Sequence, residues 1–201
     1  MRYFILLMIG CGISSNVLAQ SNALQIEMDA LREVQQEFRD EINEAYNSEG
    51  EIDPKSITPP PSFTRGFFYP SVIRTLNIGQ EPMINEFSKT IDLLIIGRCD
   101  NMTSSDELDF FKRMTAQLKL DAYEVWIEME GNERASLLVK ENDGLIASFV
   151  LIFDSIDLGG LMVLDYMGEM TPEMLFELKN VDVEKLTKSL DNSMLKNFLD
   201  L

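Results

Sequence analysis

Histidine is absent from all 201 residues. That absence removes the commonest general base, the Ser-His and Cys-His nucleophile pairs and most zinc sites. Cysteine is scarce: Cys11 lies in the leader described below, which leaves Cys99 alone in a mature chain and excludes a disulfide within it. The neighbours of Cys99, Arg98 and Asp100, roughly cancel in charge. Nothing there favours a reactive thiolate, and the plainer reading is a structural or idle thiol at a strand end. Positive charge is outnumbered, with 17 Lys and Arg against 34 Asp and Glu and a net charge of −17. Nucleic acid and anionic lipid are bound mainly through Lys and Arg, so the balance argues against both, and its ordinary meaning is solubility. Long apolar runs are missing too. The first dozen residues come nearest, well short of the ~20 that a spanning helix needs, so no membrane span is expected.

What is present begins with a leader. Met1 and Arg2 form a minimal positive region, residues 3–9 an apolar run, and Val17-Leu18-Ala19 a small-residue cleavage site before Gln20. This is the three-part secretory pattern, and the expected location is the periplasm or the outside of a bacterial cell. Cleavage after Ala19 leaves 182 of the 201 residues and, with Arg2 gone, moves the charge from −17 to −18. That length suits one domain with a real core. A rival reading takes Met8-Ile9-Gly10-Cys11 as a lipoprotein box with Cys11 lipidated; position 11 is early for such a box and Met8 uncommon in it.

Residues 20–46 hold an amphipathic helix, with Leu24, Met28, Leu31, Phe38 and Ile42 on a three-four spacing interrupted by Gln35. Docking on the domain and pairing with a partner helix are both open; docking is the ordinary fate of a single apolar stripe. Residues 47–62, ending in Pro59-Pro60-Pro61, read as a linker. The domain proper spans 63–180. It opens with a strand over 63–69, a helix over 70–76, a second helix from Pro82 and a short strand over 93–97. Ser104 followed by Glu107 has the spacing of a capping box ahead of Leu108, Phe111, Met114 and Leu118.

An antiparallel meander is expected over 121–167. Tyr123, Val125, Ile127 and Met129 alternate with more polar neighbours, a turn follows at Glu130-Gly131-Asn132, and Ala135, Leu137 and Val139 alternate again. Asn142-Asp143-Gly144 supplies residues that accept positive φ in a tight hairpin. Residues 145–153 are apolar on both faces apart from Ser148 and should form a central strand. Gly159-Gly160 introduces a last strand over 161–166, and Thr171-Pro172 caps another helix. Residues 181–201, with Val183, Leu186, Leu190, Met194 and Phe198 on one side, make a terminal amphipathic helix. The fold class is therefore α+β: a mainly antiparallel hairpin meander packed against helices, with amphipathic helices at both ends.

Three segments carry a family resemblance: 71–76 (SVIRTL), 91–97 (IDLLIIG) and the hairpin over 137–152 (LLVKENDGLIASFVLI). With them the block over about 63–180 resembles an uncharacterised envelope family of the Bacteroidota, known as domain of unknown function 4252. Residues 161–168 resemble the apolar strand and glycine turn that often follow the hairpins in that family. The resemblance implies an exported α+β domain and brings no catalytic residues. The long N-terminal helix and triple-proline linker depart from the family's usual pattern, so the resemblance does not extend to a shared partner.

Candidate chemistry is thin. Asp154, Asp157 and Asp165 flank Gly159-Gly160 and offer oxygens for Ca²⁺, but they do not match an EF-hand loop, and turn aspartates are the ordinary explanation. Gly159, Gly160 and Gly168 lack the Walker spacing and a following Lys-Ser/Thr, so they form no phosphate loop. Trp126 lies out of phase with Tyr123, Val125 and Ile127, beside Glu124 and Glu128. It is either an exposed anchor or covered by a helix. Asn101-Met102-Thr103 is a glycosylation sequon of little meaning in a bacterial protein. No catalytic, cofactor-binding or metal-binding residue is assigned. The sequence is thus read as that of a non-enzymatic envelope protein without cofactor, a binding or assembly module whose amphipathic helices are the candidate surface for a protein partner. Its rivals are a paired-carboxylate periplasmic hydrolase and a calcium-dependent adhesive or sensing module.

Overall fold

The computed structural model describes residues 21–49, 58–77, 82–131, 134–155 and 160–178. The expected leader, the helix over 181–201, and Asn132, Asp157 and Gly159 lie outside the described residues. The elements follow in the order α1 (Asn22–Glu49), β1 (Ser62–Phe68), α2 (Pro70–Asn77), α3 (Pro82–Thr90), β2 (Ile91–Asp100), α4 (Ser104–Leu120), β3 (Glu124–Met129), β4 (Arg134–Asn142), β5 (Leu145–Ser155), β6 (Gly160–Met170) and α5 (Pro172–Glu177). The strands form one sheet in the order β1-β2-β6-β5-β4-β3, antiparallel at every junction. The chain is an α+β fold with a hairpin meander, as its patterning predicts.

Period-two alternation divides the strand residues between two cores. On one face Ile95, Cys99, Leu138, Val150, Ile152, Leu161 and Val163 pack against Ala23, Leu24 and Met28 of α1 and Phe110, Phe111, Met114 and Leu118 of α4. On the other, Leu94, Leu137, Val139, Phe149 and Tyr166 meet Ile73 of α2, Phe87 of α3 and Met174 and Leu175 of α5. The strand over 145–153 is central, as its two-sided apolar character requires: β5 lies between β4 and β6. The β4–β5 hairpin turns through Asp143 and Gly144 at φ 53° and 79°, a two-residue turn with positive φ at both central positions. Thr171 caps α5, its hydroxyl oxygen accepting the Met174 amide at 3.3 Å, with Pro172 in the first turn.

The first half of α1 is docked on the domain: Leu24 and Met28 are buried, while Leu31, Phe38 and Ile42 are half-buried. The helix runs three residues beyond the expected end at 46, to Glu49. Gln35, which interrupts the stripe, sends its Nε2 to the Pro61 carbonyl at 3.4 Å.

Three expectations are corrected. The α4 cap is Thr103, one residue before Ser104. The Asp106 amide donates to Thr103 Oγ1 at 3.2 Å and the Thr103 amide to Asp106 Oδ2 at 3.0 Å, so Thr-x-x-Asp forms the box and Glu107 is free to face the sheet. The strand over 93–97 extends to Ile91–Asp100, because β1 pairs with it as far as Ser62↔Asp100 and carries the ladder through its polar end. Tyr123, Val125, Ile127 and Met129 do not share a face. A bulge between Val125 and Ile127 inserts one residue, so Val125 stays opposite Leu138 while Ile127 comes opposite Leu137, on the other side of the sheet. Ile127 and Met129 are consequently exposed.

Candidate functional site

The bulge has a second effect. It places Glu128 opposite Ser136, on the face that carries α4. Between α4 and the β3–β4 end of the sheet lies a cleft of about 800 Å³, within the range of ligand sites. Leu108, Phe111 and Ala116 of α4 supply its apolar wall at helical spacing, Lys112 and Lys119 stand on the same helix, and Glu128 of β3 and Glu130 just past its end line the other side.

One end of the cleft is closed by charge. Arg134 and Asp154 are cross-strand partners, and Arg134 Nη2 lies 2.6 Å from Asp154 Oδ2 and 4.0 Å from Glu107 Oε2. Burial, and then the charge of Asp154, push the Glu107 carboxyl above its ordinary value, with Arg134 opposing them. Two carboxylates thus flank one guanidinium. In the sequence Glu107 has the spacing of a capping residue, Asp154 is a turn aspartate or a candidate Ca²⁺ oxygen, and Arg134 carries no signal. Only the β4–β5 register, which sets Arg134 opposite Asp154, brings them together.

Asp154 and Asp165 do not meet. Asp154 pairs with Leu161 and Asp165 with Val150, four positions apart along β5, or roughly 13 Å at strand rise. Asp165 is fully buried in the row Leu138, Val150, Asp165, Ile95. Its Oδ2 accepts the Ser21 amide at 3.0 Å, and burial raises the carboxyl to about 6 against the lowering effect of Ser21. Among the described residues no group of three or more His, Cys, Asp or Glu is gathered for a metal ion.

Cys99 is buried opposite Phe63 in the α1–α4 core, where burial, then Asp100 and Glu107, push the thiol far up. Trp126 is half-buried and stacks on Phe176 of α5, ring centroids 5.9 Å apart. Gly168 lets β6 pass beside the Thr90 carbonyl. Asn101 is exposed at φ 58° before the α4 cap. No helix among the described residues is long and apolar enough to cross a membrane.

No family model, curated protein or solved structure matches the chain. The functional reading rests on the cleft.

Proposed function

We propose that this chain is an exported, non-enzymatic binding module of a bacterial envelope, cleaved after Ala19, and that it holds a peptide segment of a partner protein in the cleft beside α4. The observation that carries the reading is the cleft's make-up: an apolar wall at Phe111 between rims of both charge signs. Such a surface suits a peptide with an apolar anchor and mixed charges. Next to it, β3 is the edge strand of the sheet among the described residues, the kind of edge to which a peptide strand adds. The test is capture of partners by the protein in its native envelope, followed by titration of peptides tiled across each partner. Saturable binding of one peptide, with protection of 107–119 and 124–130 from hydrogen exchange, is expected; protection confined to other elements sinks the reading.

A second reading, hydrolysis by a carboxylate pair, draws on the raised carboxyl of Glu107 beside Asp154. Arg134 weighs against it, since it bridges the two acids and holds Asp154 in an ion pair. Turnover of an envelope glycan or ester that Glu107→Gln abolishes would establish it.

A further inference from the structure

Two carboxylates are buried among the described residues, Glu27 and Asp165. Glu27 has its cation: Arg113 reaches both of its oxygens at 2.9–3.2 Å. Asp165 has no such partner among the described residues. Its hydrogen bonds come from neutral groups, the Ser21 amide on Oδ2 and the Ser21 hydroxyl, and Oδ1 takes none. Flanked in its row by Val150 and Ile95, an uncompensated carboxylate is heavily penalised.

The chain approaches this carboxylate at the start of α1. Ser21 is itself buried and caps the helix, its hydroxyl accepting the Leu24 amide at 3.3 Å, and the next inward residues, Ala23 and Leu24, are fully buried. The cleavage pattern Val17-Leu18-Ala19 ends two positions before Ser21, with Gln20 between them. A leader peptidase that hydrolyses the Ala19–Gln20 bond with one water leaves the carboxylate on Ala19 and an α-ammonium on Gln20. A single residue spans at most about 3.6 Å, so that ammonium is tethered within reach of the group already bonded to Ser21.

We propose that Asp165 is the counter-charge for the α-ammonium that leader removal creates, so that maturation supplies the cation the buried carboxylate lacks and fixes the start of α1 in the core. Until the leader is removed, the same position carries a neutral amide. The inference rests on the export-and-cleavage part of the proposed function. It also disfavours a chain beginning at a lipidated Cys11, which would leave eight residues between its first residue and Gln20. Cyclisation of Gln20, which expels ammonia and leaves a neutral lactam, would likewise remove the cation.

The test compares the full mature chain with a free Gln20 amine, released from a fusion without extra residues, with the same chain extended by Gly-Ser-Gly, each with and without Asp165→Asn. The folding constant at pH 7 is expected to be at least tenfold larger for the free amine, and this advantage to fall below twofold in Asp165→Asn. Equal constants for the two forms, or an advantage that survives Asp165→Asn, overturn the pairing. If Asp165→Asn does not fold, the α-ammonium pKa of the wild-type chain decides: a value above the ordinary range of about 7.7–8.0 supports the pair, and an unshifted one refutes it. Intact mass of the native protein tests the premise separately. A start at an uncyclised Gln20 supports it, while acylated Cys11, a cyclised Gln20 or a retained leader overturns it whatever the purified forms do.

Discussion

Glu27 on α1 and Arg113 on α4, 86 residues apart, form a bidentate pair in which the two partners differ sharply in exposure: the Glu27 side chain is 6% exposed and that of Arg113 57%. The pair fastens α1 across the helix that walls the cleft. Its two halves are unequal targets. Arg113→Ala strands a buried carboxylate, which costs about 1–3 kcal/mol once the exposure of Arg113 is allowed for, whereas Glu27→Gln keeps hydrogen-bonding atoms in place and costs about 1 kcal/mol. Urea unfolding should rank Arg113→Ala below Glu27→Gln, with faster amide exchange in α1 for both.

Asp165 gives the stability a pH dependence of definite sign. Burial lifts its carboxyl from 3.8 to about 6, so between those values the folded chain binds more protons than the unfolded one. The stability contribution is therefore present at low pH and is lost as pH rises through about 6. In a chain whose N-terminus is extended, wild type minus Asp165→Asn should fall by on the order of 2 kcal/mol between pH 4 and pH 7. The difference isolates Asp165 from Glu107, whose carboxyl is also raised, and from Asp106, held low by Thr103. Tyr123, the phenol nearest in influence, is pushed further up by burial and stays neutral throughout. A flat difference would show that Asp165 is ionised at both ends of the range.

Apolar periodicity made the elements legible. Leu108, Phe111, Met114 and Leu118 mark the inner side of α4, and the two-sided apolar run of β5 announces its central place. A shift of one residue defeated the pattern twice. Thr-x-x-Asp and Ser-x-x-Glu overlap at the α4 start, and both satisfy the same orphan amides, so spacing alone does not choose between them. At Trp126 the bulge costs the strand its alternation, and no residue type there announces an inserted position. The cleft was illegible for a different reason. Glu107, Arg134 and Asp154 come from three elements, and only the sheet register and the placement of α4 make them neighbours.

Gly144 and Gly168 separate backbone strain from collision. A Cβ on Gly144 meets nothing, so Gly144→Ala carries only the penalty of a left-handed alanine, about 1 kcal/mol. A Cβ on Gly168 runs into the Thr90 carbonyl and the Tyr166 hydroxyl, which donates to that carbonyl at 2.9 Å. Gly168→Ala adds the loss of this bond to the strain at φ 155° and should cost about 2–4 kcal/mol. Thermal unfolding of the two variants side by side checks the order, and equal losses would mean that β6 shifts away from α3 without penalty.

The cleft yields the prediction that bears most directly on function. Ala116 is solvent-exposed on α4 and lines the cleft without contributing to the core, so Ala116→Trp fills the space while leaving Met114 and Leu118 in place. Because the indole replaces volume a peptide anchor would occupy, affinity for the captured partner should fall at least tenfold, about 1.4 kcal/mol, with little change in melting temperature. Lys119→Glu alters only the rim. It should slow association and change its salt dependence more than it changes dissociation, as rim charges do. Calorimetric titration and stopped-flow kinetics with the same peptide read both effects. Undiminished binding by a folded Ala116→Trp protein would move the partner elsewhere, to β3 at the edge of the sheet or to the half-buried stripe of Phe38 and Ile42 on α1, where variants of those residues would then have to show the loss.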